Sequence, residues 1–464
     1  MLWLSIDRNL DASLTRQVYE QIRFQILNGI IHVGEKLPST RELASELKIS
    51  RNVILDAYDQ LFAEGFIEGS RGSGTYVSEG TFLEDTSKYE LVVPQQEESS
   101  EEKTSDLIDF RSGIPALNLF PKKKWSQLTQ RMLADHNDFI FGYGHPEGRM
   151  ELRVALCNYL HKTRGIRCSP EQLVITSGAT QALSLVSKLL LTKGDEVCIE
   201  DPITHDIQTI FQQPGVSLYP VPVDEFGMIT DMLPSNKKPK FIFVTPSHQF
   251  PLGGTLPIQR RIQLIQYARE SGAYIVEDDY DSEFRYAGPP VSSLQSLEPE
   301  RVIYIGTVSK ILSPALRIGY LILPQNLIHH CRELKWFNDL HSPTFEQLTL
   351  AVFVKEGHLE QHIRKMKKVY RKRRDFLITC LHDSFSKGLK IYGDSTGLHM
   401  VAAFDNVHFS EETVRKVEES NIRIYPVEKH SIRKGRHQNK IILGYSNLSP
   451  DEIKEGIRRL AMYV

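Results

Sequence analysis

The feature that most limits how this chain can fold is a stretch with nothing to bury. Residues 95–106 read QQEESSEEKTSD and hold no apolar side chain. No burial is available there to offset the entropy of ordering. Across the wider segment 80–106 there are eight acidic residues and two lysines. Like charges keep such a segment extended, and a flexible linker is expected. It separates a small N-terminal domain, residues 1–79, from a large one, residues 107–464. Each must then build its own core.

Composition sets the remaining bounds. Hydrophobic residues make up 41% and charged residues 25%, as in ordinary soluble globular proteins. The formal net charge of −2 argues neither for a polyanion-coating protein nor for an acidic tail protein. The five cysteines (157, 168, 198, 331 and 380) form no C-x-x-C pair and no zinc spacing, which points to reduced, inert thiols. Asp7 and Arg8 interrupt any apolar leader, and no run approaches the roughly 18 apolar residues of a membrane span. A cytoplasmic protein without membrane contact is expected.

The small domain reads as three helices and a hairpin. Val18, Ile22 and Ile26 share one helical face, and Gly29 follows it. Ser39 and Glu42 have capping-box spacing, with the hydroxyl accepting an early helix N–H and the carboxylate reaching back. That starts a short helix through Leu47. Ser50 is placed to cap another, with Val53, Ala57, Leu61 and Phe62 on its apolar face and Gly65 at its end. Two β-prone runs, 66–68 and 75–77, flank a glycine-rich tip.

A helix–turn–helix followed by such a wing is the layout of a major-groove reader. Arg51 and Asn52 open the second helix, where a guanidinium reaches guanine or phosphate and an amide pairs with an adenine edge. Ser39, Thr40 and Arg41 suit phosphate contact, and Arg71 at the wing tip suits a phosphate or the minor groove. Charge speaks against this, because residues 1–78 hold eight Lys/Arg and ten Asp/Glu. The positive charge must then be localised on the Arg41–Lys48–Arg51–Arg71 face. On these residues alone, double-stranded DNA and a protein partner both remain open.

In the large domain short apolar β-rich runs (173–176, 197–200, 241–246, 274–278 and 302–307) alternate with amphipathic stretches such as 180–192 and 258–271. Buried strands joined by helices predict an α/β fold, a mainly parallel sheet with helices on both faces. A long helix is expected near 344–380, then a small α+β portion to Val464. Residues 364–374 put eight positive charges on that helix, either as a solvated face or as an auxiliary DNA contact.

Three strand ends carry chemistry. Ser309 and Lys310 follow the strand VIYIGT, with Arg317 beyond them. A desolvated lysine forms a Schiff base with an aldehyde, while a hydroxyl and a guanidinium grip a phosphate. Asp278 ends another strand, where a carboxylate pairs with a protonated pyridine nitrogen, and the Tyr280 phenol can bond a ring hydroxyl. Residues 176–181 join a strand to a helix, so the N–H at Ala179 and the Thr180 hydroxyl can cradle a phosphate. Together these pieces point to pyridoxal 5'-phosphate.

Two resemblances sharpen the reading. Residues 14–78, with LPSTRELASELKISRNVILDAYDQLFAEGFI and GSGTYV, closely resemble the GntR-type winged helix, which implies operator binding as a dimer. Residues from about 110 to 464 resemble type I pyridoxal-phosphate aminotransferases through YGHPEGRMELR, SGATQAL, EDDYDSEF and GTVSKILSPALRIGY. That resemblance implies Lys310 as the Schiff-base lysine, Asp278 as the ring-nitrogen partner and Tyr280 as the ring-hydroxyl partner. It implies Ala179, Thr180, Ser309 and Arg317 around the phosphate, and Tyr143 reaching the phosphate of a neighbouring subunit. The fusion, with TPSHQFPLG and the basic helix, resembles the MocR/GabR subfamily of GntR regulators.

The chain departs from that pattern where an amino-acid carboxylate would be held. Thr204 and His205 stand where a ring-stacking aromatic is usual, and Asp206, Lys429 and Asn447 where arginines are expected. TPSHQFPLG lacks the asparagine that usually supports the ring hydroxyl. The expected protein is a head-to-tail homodimer that binds operator DNA and senses pyridoxal phosphate, an amine or an amino acid through Lys310. One alternative is an active aminotransferase with an appended head. Another is a sensor of pyridoxal phosphate itself that controls vitamin B6 supply.

Overall fold

The computed structural model describes residues 4–8, 10–70, 74–82, 106–212, 215–385 and 387–464. Arg71 and nearly all of the acidic segment 80–106 lie outside the described residues. The chain separates into two compact units, residues 1–103 and 104–464.

In the small unit α1 (Leu14–Leu27) is capped by Ser13, and its Val18, Ile22 and Ile26 are buried as their spacing predicts. α2 (Thr40–Leu47) opens on a complete capping box. The Ser39 hydroxyl accepts from the Glu42 N–H at 3.3 Å, and the Glu42 carboxylate accepts from the Ser39 N–H at 2.9 Å. Lys48 ends α2 in the left-handed conformation and turns the chain into α3 (Arg51–Ala63).

Two expectations fail in α3. The Ser50 hydroxyl makes no cap bond; Ser50 is exposed, so water can serve the first-turn N–H groups instead. The buried stripe is Ile54, Ala57, Tyr58 and Leu61, without Val53 and Phe62. Tyr58 decides this orientation, since its hydroxyl donates to the Pro38 carbonyl at 2.9 Å and anchors α3 over the turn before α2. The wing has three strands: β1 (Lys36–Leu37), β2 (Ile67–Ser70) and β3 (Gly74–Val77), in the antiparallel order β1-β3-β2.

The large unit begins with β4 (Ile108–Asp109), α4 (Lys122–Asp135) and α5 (Met150–Arg164). Its main sheet comprises β5 (Leu173–Thr176), β6 (Glu196–Asp201), β7 (Ser217–Asp224), β8 (Gly227–Met228), β9 (Phe241–Val244), β10 (Tyr274–Asp279), β11 (Val302–Thr307) and β12 (Gly319–Ile322). The order is β5-β12-β11-β10-β9-β6-β7-β8. β11, β10, β9, β6 and β7 pair in parallel, whereas β12 runs antiparallel to both its neighbours and β8 folds back on β7.

Both faces of this sheet are covered, which is why its central strands read as continuous apolar runs. Val174, Ile199, Phe243, Val276 and Ile305 pack with α6 (Ala179–Leu190), α7 (His205–Phe211) and Cys331. On the other face Ile242, Val244 and Ile275 meet α8 (Ile258–Ser271), and Ile175, Tyr304 and Tyr320 meet α5.

The expected long helix near 344–380 is two helices after α9 (Ile328–Asp339). α10 (Thr344–Lys355) stops at Glu356, and α11 (His358–Ser384) starts after Gly357, whose φ of 77° no helix interior tolerates. A second, antiparallel sheet follows. It holds β13 (Leu389–Tyr392), β14 (His399–Phe404), β16 (Tyr425–Pro426) and β17 (Lys440–Gly444) in the order β13-β14-β17-β16. β15 (Ile422–Arg423) returns to pair in parallel with β4, and α12 (Glu411–Glu418) and α13 (Pro450–Leu460) complete the unit. Among the described residues no helix is long and apolar enough to cross a membrane.

The turn of α3 is directly testable. Leu61 is 0% exposed and Phe62 39%. Leu61→Ala should cost about 2–5 kcal/mol in urea unfolding of the small unit. Phe62→Ala should cost less than half as much, and the reverse ranking would place Phe62 in the core.

Candidate functional site

The chemistry gathers where β5, β10 and β11 end. Asp278 stands near the end of β10, opposite Ile305 of β11, and Ser309 and Lys310 lie just past β11. Side chains alternate along a strand, so Glu277 and Asp279 leave on one face and Asp278 on the other. The first two each have partners. Glu277 accepts the Leu294 and Gln295 N–H groups at 3.0 Å. Asp279 pairs with Arg164 at 2.7 Å and accepts the Tyr304 hydroxyl at 2.7 Å. Asp278 has no such partners: its Oδ1 is buried and unpartnered, while Asp279 keeps its contacts on Oδ2 and leaves its own Oδ1 unpartnered. Burial first, and then Asp279 and Asp281, push its carboxyl up to about 7.

Lys310 answers it. Burial lowers its pKa, opposed by Asp281 and Asp278 and reinforced by Arg111 and Arg317. The strand-end lysine is therefore held toward the neutral, nucleophilic amine. Space beside it is kept by Gly113, where a Cβ would lie 2.9 Å from Lys310 Nζ.

A second cradle forms where β5 enters α6. Gly178 caps α6, so the free N–H groups of its first turn begin at Ala179, and Thr180 is exposed there. Arg317, left-handed at φ 49°, donates from Nη2 to the Ser177 carbonyl at 2.6 Å. A Cβ on Gly178 would lie 2.7 Å from Arg317 Nη2, and one on Gly319 2.7 Å from the Gly178 carbonyl carbon. Ser309 adds a buried Oγ with no partner. The Asp278 and Ser309 orphans, the kept spaces and a depressed lysine fit an aldehyde cofactor with a basic ring and a phosphate.

Tyr280 opens a network that sequence reasoning missed. Its hydroxyl donates to the His248 carbonyl at 3.0 Å and lies 3.1 Å from His248 Nδ1. That nitrogen is 3.0 Å from both Asp281 oxygens, and the His248 ring packs on His399 at 4.8 Å between centroids. Burial holds the His399 imidazole well below its ordinary range, and its Nε2 is 3.0 Å from the Pro251 carbonyl oxygen. The legible signal was TPSHQ, a polar run directly after an apolar strand.

Other expected residues sit apart. Tyr143 is 84% exposed, 6.1 Å from the His341 ring, in a surface group with Phe139 and Phe141. Thr204 caps α7 by accepting from the Ile207 N–H, which commits it to structure. His205, Asp206 and Lys429 are exposed. Asn447 is half-buried with its Oδ1 unpartnered, beside Ser446, whose hydroxyl donates to the Ile114 carbonyl.

In the small unit Ser39, Arg41, Arg51 and Asn52 are exposed at the starts of α2 and α3, with Thr40 half-buried. Arg51 Nε donates to the Thr40 hydroxyl at 3.3 Å, which draws the two helix starts together.

Asp278 sets a pH dependence. Its native pKa of about 7 lies above the ordinary 3.8, so between those values the folded state binds more proton than the unfolded one. Stability of the cofactor-free protein should fall as pH rises through that window. Asp278→Asn should flatten the fall in Tm without abolishing it, because burial also pushes Glu200, Glu277 and Glu283 to about 7. An unchanged slope would mean that Asp278 ionises normally.

Comparison with known proteins agrees with this architecture. Residues 105–460 match the aminotransferase class I and II model, and residues 14–77 match that of the bacterial regulatory proteins of the gntR family. The chain is similar to the probable rhizopine catabolism regulatory protein MocR of Rhizobium meliloti, 32% identical over 472 residues, 98% of this chain and 95% of that one. It is also similar to the HTH-type pyridoxine biosynthesis transcriptional regulator PdxR of Corynebacterium glutamicum, 31% identical over 402 residues, 87% of this chain and 86% of that one. Its fold resembles the crystal structure of Pyrococcus horikoshii kynurenine aminotransferase in complex with PMP. The TM-score there is 0.72 at 30% identity, over 78% of this chain and 91% of that one. The chain therefore belongs to the MocR-type transcriptional regulators, in which a gntR-family DNA-binding domain is joined to a domain with the fold of the pyridoxal-phosphate-dependent class I and II aminotransferases.

Proposed function

We propose that this regulator holds pyridoxal 5'-phosphate on Lys310 and reports the amine occupancy of that site to operator DNA in the cytoplasm. The domains are residues 1–79 as reader, 80–106 as tether and 107–464 as sensor. The buried, unpartnered Asp278 Oδ1 close to a depressed Lys310 supports the reading most strongly.

The cofactor supplies an aldehyde that bonds one amine at a time and a ring that draws electrons from it. Lys310, desolvated, offers its neutral amine. Asp278 would hold a proton at the ring nitrogen, and Tyr280, fixed by His248, would serve the ring hydroxyl. The Ala179 N–H, Thr180, Ser309 and Arg317 would hold the phosphate. An effector amine would take the place of Lys310 on the cofactor and leave Nζ free. That would change the charge facing Asp281 and Arg111, which bear on Lys310 directly. Such a change shifts the population of head arrangements only as far as the effector prefers one of them.

The exposed Tyr143, Phe139 and Phe141 suit burial against a second copy, in a head-to-tail homodimer with Tyr143 reaching the neighbour's phosphate. On the DNA, Asn52 would read an adenine edge and Arg51 a guanine or a phosphate; Ser39, Thr40 and Arg41 would hold phosphates, and Arg71 would reach a phosphate or the minor groove.

A second reading, sensing of pyridoxal phosphate itself to control vitamin B6 supply, is favoured by the exposure of Asp206 and Lys429 where arginines would clamp a carboxylate. It is also favoured by the likeness to a pyridoxine biosynthesis regulator. The two separate by operator affinity, which responds to the cofactor alone on the second reading and needs an added amine on the first. Multiple turnover of amino acids to keto acids would instead favour the aminotransferase alternative.

Borohydride reduction after loading tests the anchor. The wild type should carry the phosphopyridoxyl mass on the peptide containing Lys310, and Lys310→Ala should carry none there. An unlabelled wild type would overturn the proposal.

A further inference from the structure

The basic run 364–374 divides cleanly once it is placed on α11. Three of its eight cations are absorbed by the fold. Arg373 donates to the Ser446 carbonyl. Arg374 donates to the Asp394 carbonyl at 2.9 Å and lies 4.8 Å from the Tyr286 ring centre. Lys367 is half-buried. The other five, Arg364, Lys365, Lys368, Arg371 and Lys372, are exposed.

At 3.6 residues per turn those five fall within an arc of about 120° on one side of the helix. The opposite side is spent on the core through Leu359, Met366, Tyr370, Leu377 and Leu381. None of the five makes an ion pair among the described residues. Asp375, the nearest acid along that side, is paired with Arg374 at 2.5 Å. Glu360, one turn before the run, is 3.9 Å from Lys162. Among the described residues Arg371 bonds the Tyr286 carbonyl, at 2.7 Å.

Like charges also crowd the edge of the stripe. The Lys367 ammonium is depressed first by burial and then by Arg371 and Arg285, and Arg285 keeps a buried Nε without a partner. A solvated helix face normally interleaves acids with its bases and relieves such repulsion. Here the repulsion is left standing, which a polyanion would relieve.

We infer that the exposed cationic face of α11 is a second DNA-contact surface, which engages the phosphate backbone of duplex DNA independently of base sequence. The small unit supports this need, since residues 1–78 sum to eight cations and ten acids and offer little bulk attraction to a duplex. The α11 face supplies affinity without specificity. The inference does not rest on the cofactor reading, because none of the five cations is among the charges that bear on Lys310.

The test uses the full chain and a mixed-sequence duplex of about 60 base pairs, long enough for several helical turns. Affinity is measured against salt concentration for the wild type, for Lys365→Gln/Lys368→Gln/Lys372→Gln, and for the matching Lys→Arg triple variant. Each phosphate contact contributes about 0.9 to the slope of log K against log salt. The Gln variant should therefore lose about 2–3 units of slope while the Arg variant keeps the wild-type value. All three sites are exposed, and equal thermal melting of the variants checks folding. An unchanged slope in the Gln variant overturns the inference. So does a loss shared by the Arg variant, which would make the effect one of helix packing.

Discussion

One buried ion pair fixes the geometry on which the strand ends depend. Arg164, the last residue of α5, lies 2.7 Å from Asp279, with side-chain exposures of 5% and 3%. A lone charge at that depth would be prohibitive, and a pair persists only when its remaining donors are also met. They largely are, because Arg164 also donates to the Ser247 hydroxyl at 2.6 Å and to the Val291 carbonyl at 2.5 Å. Burial alone would depress the guanidinium, and Asp279 more than reverses that. One side chain thus ties α5, β10, the loop carrying His248 and the segment that receives Glu277. With Asp279 pinned beneath the sheet, strand alternation leaves Asp278 to the other face.

Net charge proves a poor guide to the small unit because its acids are not equivalent. Glu42 is held ionised by the Ser39 N–H and hydroxyl inside the capping box. Glu64 accepts the Tyr19 hydroxyl at 2.5 Å beyond the far end of α3, and Glu20 pairs with Arg16 and Arg23. These carboxylates have structural partners, whereas Arg41, Arg51 and Asn52 stay exposed. A count over the chain cannot see that difference.

What the sequence made legible, and what it hid, follows from the range of the forces involved. The Ser39–Glu42 box spans three residues, and the strand ends bearing Asp278 and Lys310 announce themselves by local apolar runs, so both were readable. The misplaced stripe on α3 turned on one long-range bond from Tyr58 to Pro38, which no periodicity reveals. β1 was hidden because two residues carry no alternation; it exists only because β3 lies beside it. The Cys157–Cys168 contact, 3.3 Å between sulfurs, joins α5 to the segment before β5 across eleven positions that share no motif. His248 was given no role within TPSHQFPLG, yet the chain keeps room for it at Gly397, where a Cβ would fall 2.1 Å from its Cε1.

The substitutions around the site divide along a physical line. Residues suited to a ring nitrogen, a ring hydroxyl and a phosphate are built on strand ends and a helix start, where Asp278 and Ser309 keep buried oxygens unpartnered, Tyr280 bonds His248, and glycines keep space beside Lys310 and Arg317. Where an amino-acid carboxylate would be gripped, Asp206 and Lys429 face solvent and Asn447 leaves a buried oxygen unanswered. Exposed side chains hold a ligand weakly, because solvent screens their charge and mobility must be lost on binding. On the proposed reading such a site would keep what anchors a cofactor and lack what would grip a substrate carboxylate. Discrimination would then come from the size and charge that the space around Lys310 admits, and coupling to DNA would require two arrangements of the protein that differ in tolerating the occupant.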